Sequence, residues 1–152
     1  MRYIFIVMLA SIATRGASQQ PKEVFTRYME EVLNQRKIEV VDELFAEKYQ
    51  LHILTHDEHV TNTIQKLKEF LTGLLKAVPD LKYTIGDIIQ EGDRAAMRVR
   101  LTGTHKGELF GYPASGNQIS MSEVFFCQVK EGKIVDFSVQ IDWYHLFKQL
   151  QK

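Results

Sequence analysis

The sequence predicts an α+β fold in which N-terminal helices pack on one face of a curved, mainly antiparallel sheet. Apolar residues recur at helical spacing early in the chain, at Phe25, Tyr28, Met29, Val32 and Leu33 and again between Ile64 and Val78. From Leu81 onward the period drops to two. It is clearest over Gln118 to Asp142, where Ile119, Met121, Glu123, Phe125, Cys127 and Val129 alternate with Ser120, Ser122, Val124, Phe126 and Gln128. Helices first and a meander of long strands afterwards make one layer of each.

Taken in order, Pro21 suits the first turn of a helix, where its missing N–H costs nothing, and Asn34-Gln35 ends that helix. Ile38, Val41, Leu44 and Phe45 predict a second, short helix, and Tyr49 to Leu54 an extended segment. His56-Asp57-Glu58-His59 reads as a polar loop. Thr61, Asn62 or Thr63 can cap the next helix, whose apolar face is Ile64, Leu67, Phe70, Leu71, Leu74, Leu75 and Val78 and which Pro79 stops. Strands follow over Leu81 to Gln90 and Ala95 to Thr102, joined at Glu91-Gly92-Asp93. A glycine-rich loop, His105 to Asn117, leads into the hairpin that turns at Glu131-Gly132. Val135, Phe137, Val139 and Ile141 share one face of the return strand, and Trp143 to Leu150 closes the chain as a helical turn. A sheet curved around a long helix leaves a cone lined by alternate strand residues, a natural small-molecule site.

At 152 residues, 45% hydrophobic and 25% charged, the chain fits one soluble domain with a full core. Its 19 basic and 19 acidic residues balance without a basic stripe, which argues against nucleic acid as a partner. Cys127 is the lone cysteine, so thiolate zinc sites and internal disulfides are excluded, and it reads as a small core residue. Arg2 followed by the apolar run Tyr3 to Ile12 reads as a secretory signal, with Gly16 and Ser18 at the −3 and −1 cleavage positions. A buried N-terminal helix or strand is the other reading. The run is too short for a stable membrane span, and no lipoprotein cysteine follows it. The expected organisation is therefore a signal peptide at 1–18, a single domain at 19–152, and a secreted or periplasmic protein.

The runs FTRYMEEVLNQRKIEVVDELFAEKYQLH, LKEFLTGLLKAVPDLKYTIGDIIQEGDRAAMRVRLTGTHKGELFGYPASG, EGKIVDFSVQID and LFKQL resemble the SnoaL-like polyketide cyclases and predicted ester cyclases of the nuclear transport factor 2-like superfamily. The resemblance spans roughly residues 20 to 150. It implies a cone-shaped, cystatin-like α+β barrel, a pocket between sheet and helices, and often a homodimer. It also implies ring closure by an intramolecular aldol reaction without metal or cofactor, with an aspartate in the last strand doing the acid/base work. Here that aspartate's position is Val139, the histidine two residues before it is Phe137, and a histidine of the preceding strand is Phe125. The family's asparagine after the first helices falls at Leu51 or, with a one-residue slip, His52, and its glutamine at Glu123. Asp136 and Asp142 are retained, Asp136 on the face opposite the pocket row.

Glu123 is thus the candidate catalytic residue: a carboxylate in an apolar row, which burial would turn into a better base at neutral pH. The competing readings are an ion pair with Arg98 or Arg100, or an outer, dimer-forming face. Tyr49 and His52 are its candidate neighbours across the mouth, and Phe125, Phe137, Val139 and Ile141 are candidate lining residues that could equally be plain core. His52, His56 and His59 have ligand-like spacing, yet the segment is not helical and reads as a solvated loop rather than a metal site. His105 and His145 read as surface or satisfied histidines. Phe110, Tyr112 and Pro113 could form a flap or an ordinary connection, and Ser115 lacks nucleophile context.

Three functions fit: cofactor-free proton transfer by Glu123 on a hydrophobic small molecule, non-catalytic carriage of such a ligand, or a dimerising module whose cone is filled by Phe125 and Phe137. The leader reading is checked by intact mass. Protein recovered outside the cytoplasm should begin near Gln19, and an intact Met1 on the exported chain contradicts it.

Overall fold

The computed structural model describes residues 20–54 and 58–151. The leader, His56 and Asp57 lie outside the described residues. Helix α1 (Pro21–Arg27) starts with Pro21 at its first position, and the Gln20 amide donates to Glu23 Oε2 at 3.3 Å. It runs on as π-helical turns through Tyr28–Asn34. Together they bury Val24, Phe25, Tyr28, Met29, Val32 and Leu33, the stripe expected from the helical spacing. A 3₁₀ turn at Ile38–Val40 and helix α2 (Val41–Leu44) follow. Phe45, expected in that helix, instead has extended backbone and begins strand β1 (Phe45–Ile53).

After β1 the chain forms β2 (Glu58–Thr63), a strand where the sequence suggested a loop. Helix α3 (Ile64–Ala77) is capped by Thr63, whose hydroxyl accepts from the Lys66 amide at 3.3 Å. Strands β3 (Lys82–Glu91), β4 (Arg94–Thr104), β5 (Gln118–Lys130) and β6 (Lys133–Gln140) form the meander, and α4 (Trp143–Leu150) ends it under an Asp142 cap. The six strands lie in the order β2-β1-β6-β5-β4-β3. Every pair is antiparallel except β1 with β6.

The β5–β6 turn places Glu131 at φ 53° and Gly132 at φ 78°, the two left-handed residues of a type I′ hairpin. All six alternate residues from Ile119 to Val129 are buried. On β6 a bulge pairs Val129 with Ile134 and Cys127 with Phe137, so Ile134 points inward and Val135, expected there, is only half-buried. The buried thiol of Cys127 has its pKa pushed up to about 12 by burial, as suits a core residue.

The end of α3 is pinned to the sheet and to the 105–117 loop. The Lys106 and Gly107 amides both donate to the Ala77 carbonyl, at 2.8 and 2.9 Å. Gly103 of β4 gives α3 room: a Cβ there would overlap the Val78 side chain and sit 3.3 Å from Leu81 Cα. Gly103→Ala should therefore cost about 1–3 kcal/mol through overpacking. Urea unfolding measures this, and an unchanged midpoint would mean that α3 is not seated as described.

Candidate functional site

Between the concave sheet face and the helices lies a cavity of about 310 Å³. That is the low end of the range, roughly 300–1,000 Å³, typical of small-molecule pockets. Strand alternation builds its wall: Tyr49, Leu51 and Ile53 from β1, Met121, Glu123 and Phe125 from β5, and Phe137 and Val139 from β6. Edge-to-face contacts of Phe25 with Phe125 and Phe137, at 6.3 and 6.0 Å between ring centres, close one end. Phe70 of α3, Phe110 of the loop and Trp143 of α4 border the lining elsewhere, with Phe70 and Phe110 partly open to solvent.

Among the described residues of this lining Glu123 is the one carboxylate, and it is only 5% exposed. Among the described residues its Oε2 has no hydrogen-bond partner. Burial pushes its pKa up to about 7, a rise that the facing phenol of Tyr83 opposes only in part. The ion-pair alternative does not hold. Arg98 bonds Asp87 at 2.7 Å and Arg100 bonds Ser120 at 3.1 Å, both on the outer face, whereas the cross-strand neighbour of Glu123 is the buried Val99.

Three phenols share the cavity with Glu123. Burial raises the pKa values of Tyr28 and Tyr83, and the charge of Glu123 adds to both shifts. Tyr49 is pushed up to about 12 by burial, and Asn62 Nδ2 donates to its hydroxyl at 2.9 Å, leaving the phenol proton able to donate elsewhere. The arrangement is a carboxyl with a raised pKa beside neutral hydrogen-bond donors, inside an apolar shell. Such a set can take a proton from carbon and hold the oxygen that gains charge.

Of the residues singled out in the sequence, Tyr49, Glu123, Phe125, Phe137, Val139 and Ile141 all line the cavity. His52 does not: it projects to the other sheet face and bonds Asp136 Oδ2 at 2.9 Å through Nε2. On a strand that presents Leu51 and Ile53 inward, the residue between them must point out. Phe125 and Phe137 pack at one end without filling the cavity, which removes the main support for a filled cone. Tyr28, Tyr83 and Asn62 were not anticipated as pocket residues. The tyrosines sit in ordinary apolar stripes, and Asn62 offered only a capping signal.

His105 is fully buried rather than at the surface. Its Nδ1 lies 2.9 Å from Ser115 Oγ, a contact that ties the two ends of the loop together. The loop tip is a tight turn, with mutual Leu109–Tyr112 backbone bonds at 3.0 Å and Phe110 and Gly111 at φ 51° and 80°. That conformation is strained for Phe110, and it sets the ring 5.2 Å from Trp143 and 6.4 Å from Phe70. Of the histidine cluster, His56 and Asp57 lie outside the described residues; among the described residues no three ligand-type side chains are placed to hold a metal ion. No described helix is long and apolar enough to cross a membrane.

Residues 23–150 match the SnoaL-like polyketide cyclase family model. No curated protein shows significant similarity to the chain. A candidate polyketide cyclase from Acidithiobacillus ferrooxidans is 28% identical with a TM-score of 0.75, over 88% of this chain and 96% of its own. IdmH, a candidate polyketide cyclase from Streptomyces antibioticus, is 25% identical with a TM-score of 0.74, over 87% of this chain and 99% of its own. A candidate SnoaL-like polyketide cyclase from Jannaschia sp. CCS1 reaches a TM-score of 0.78 at 20% identity, over 86% and 91%, and shows the shared fold.

Glu123 has a testable stability signature. Its folded pKa lies above the ordinary value of 4.5, so the folded state holds this proton more tightly than the unfolded chain does. The stabilisation that follows is complete below the unfolded pKa and is lost as pH rises through about 7. Tyr28, Tyr49 and Tyr83, the titratable groups facing it, stay protonated across that window. Glu123→Gln should therefore gain stability relative to the parent between acid and alkaline pH, by up to about 3 kcal/mol. Urea unfolding at both ends of the window reads it, and a pH-independent difference would mean the carboxylate is solvated.

Proposed function

Because the chain belongs to the SnoaL-like polyketide cyclase family, we propose that its cone takes up a hydrophobic small molecule and that Glu123 performs cofactor-free proton transfer on it. The observation that carries this reading is the buried carboxylate with an unpartnered oxygen in the cavity wall. A base must reach the proton it takes, and a pKa near the working pH is the useful value. In the proposed step, Glu123 takes a proton from the carbon beside a carbonyl. The C–H electron pair becomes the enolate double bond, and the enolate oxygen accepts a hydrogen bond from Tyr49 or Tyr28. The same proton then returns to a different carbon, or the enolate carbon attacks a second carbonyl and closes a ring, and the proton held by Glu123 passes to the alkoxide oxygen so formed.

A second reading has its own observation. Val139 stands where the family resemblance places the acid/base aspartate, and it lines the cavity with nothing to donate. On that reading the cone carries its ligand unchanged. We also propose export, with Met1–Ser18 removed, from the leader pattern, and a homodimer from the family resemblance.

The bicyclic ketone 2-tetralone separates catalyst from carrier. The parent should catalyse deuterium uptake from D₂O at its α-carbon, and Glu123→Gln should lower that rate at least about 100-fold while remaining folded. Binding without exchange supports the carrier; an active Gln variant ends the proposed role of Glu123. Val139→Asp should cost about 1–3 kcal/mol in urea unfolding, since it adds an unpaired carboxylate to an apolar wall. No loss would place position 139 in contact with water.

A further inference from the structure

We propose that the cone selects uncharged ligands that present a hydroxyl or N–H donor to Glu123 Oε2, and rejects carboxylates. The inference rests on the cavity being a ligand site, as argued above, and specifies what enters it. Among the described residues that line the cavity, none is Arg, Lys or His. The polar groups in the lining are Glu123, the phenols of Tyr28, Tyr49 and Tyr83, and the Asn62 amide. The remainder is aliphatic or aromatic, apart from the Trp143 indole N–H.

This donor and acceptor inventory is lopsided. Burying an anionic headgroup needs a fixed positive partner, and the described lining offers only neutral donors beside a carboxylate that repels it. Arg98 and Arg100 cannot supply the charge, since both are committed on the outer sheet face. Glu123 Oε2, by contrast, is a buried acceptor with no donor among the described residues. A ligand O–H or N–H is the complement that removes this cost, and the apolar wall accepts the rest of the molecule. The site is therefore matched to alcohols, phenols, enols or amides on a small apolar frame, and mismatched to fatty or aromatic acids.

Isothermal titration calorimetry at pH 8 with two ligands of one skeleton tests this: 2-tetralol and 1,2,3,4-tetrahydro-2-naphthoate. The alcohol should bind the parent at least about tenfold more tightly than the carboxylate. Glu123→Gln, a near-isosteric change, should narrow that ratio severalfold by removing the repulsion. Equal or tighter binding of the carboxylate overturns the selectivity while leaving the pocket reading intact. An unchanged ratio in Glu123→Gln overturns the role of Glu123 in it. Failure of both ligands to bind overturns the pocket reading itself and this inference with it.

Discussion

Strand alternation along β5 is the constraint on which the site depends. Ile119, Met121, Phe125, Cys127 and Val129 must face the core, and the pleat then forces Glu123 to face it too. Carrying the carboxylate to water by a one-residue slip would expose the five apolar neighbours together. Burial of the row, at roughly 1.5–3 kcal/mol per large side chain, outweighs the few kcal/mol that desolvating one carboxylate costs. The carboxylate yields instead: its pKa rises toward 7 and it takes up a proton. A carboxyl with a raised pKa is thus a by-product of packing in a fold that turns alternate residues of β4 and β5 toward an apolar wall.

The rest of the molecule covers that wall without filling the cavity. Aromatic rings from α1, the π-helical segment and β1 seal one end, where Tyr28 and Phe45 stand 5.3 Å apart and Phe45 and Phe137 5.6 Å. The 105–117 loop is tied down on both sides. Within it the His105 amide donates to the Asn117 carbonyl and the Gly116 amide to the His105 carbonyl, and Asn117 Nδ2 donates to the Gln149 and Gln151 carbonyls at the end of α4. The strained Phe110 turn is thereby held against Trp143 and Phe147. Strain in a single tight turn costs about 1–3 kcal/mol, and it persists only because the surrounding contacts determine it.

Much of this was legible in the sequence, for physical reasons. The long hairpin, the two amphipathic helices and the placement of Glu123, Tyr49 and Val139 follow from strict periodicity, which burial enforces. What escaped notice lacks that signal. Strand β2 is an edge strand made largely of polar residues, so its extended state is fixed by pairing with β1 and not by composition. The β6 bulge shifts the inward row by one residue, an event periodicity cannot announce, and it exchanged Ile134 for Val135. The chemistry of His52 suits a pocket, yet the parity of its strand with Leu51 and Ile53 points it outward toward Asp136. Asn62 became a pocket residue only when β2 paired with β1 and brought it against Tyr49.

The measurement that tests the central claim most directly is a carbon-13 NMR titration of the glutamate side-chain carboxyls, with Glu123→Gln providing the assignment. A buried Glu123 without a charged partner should give one carboxyl that titrates near pH 7 and disappears in the variant. If every glutamate, Glu123 included, titrates in the ordinary carboxylate range, the residue is hydrated or paired, and the cone holds no base tuned by burial.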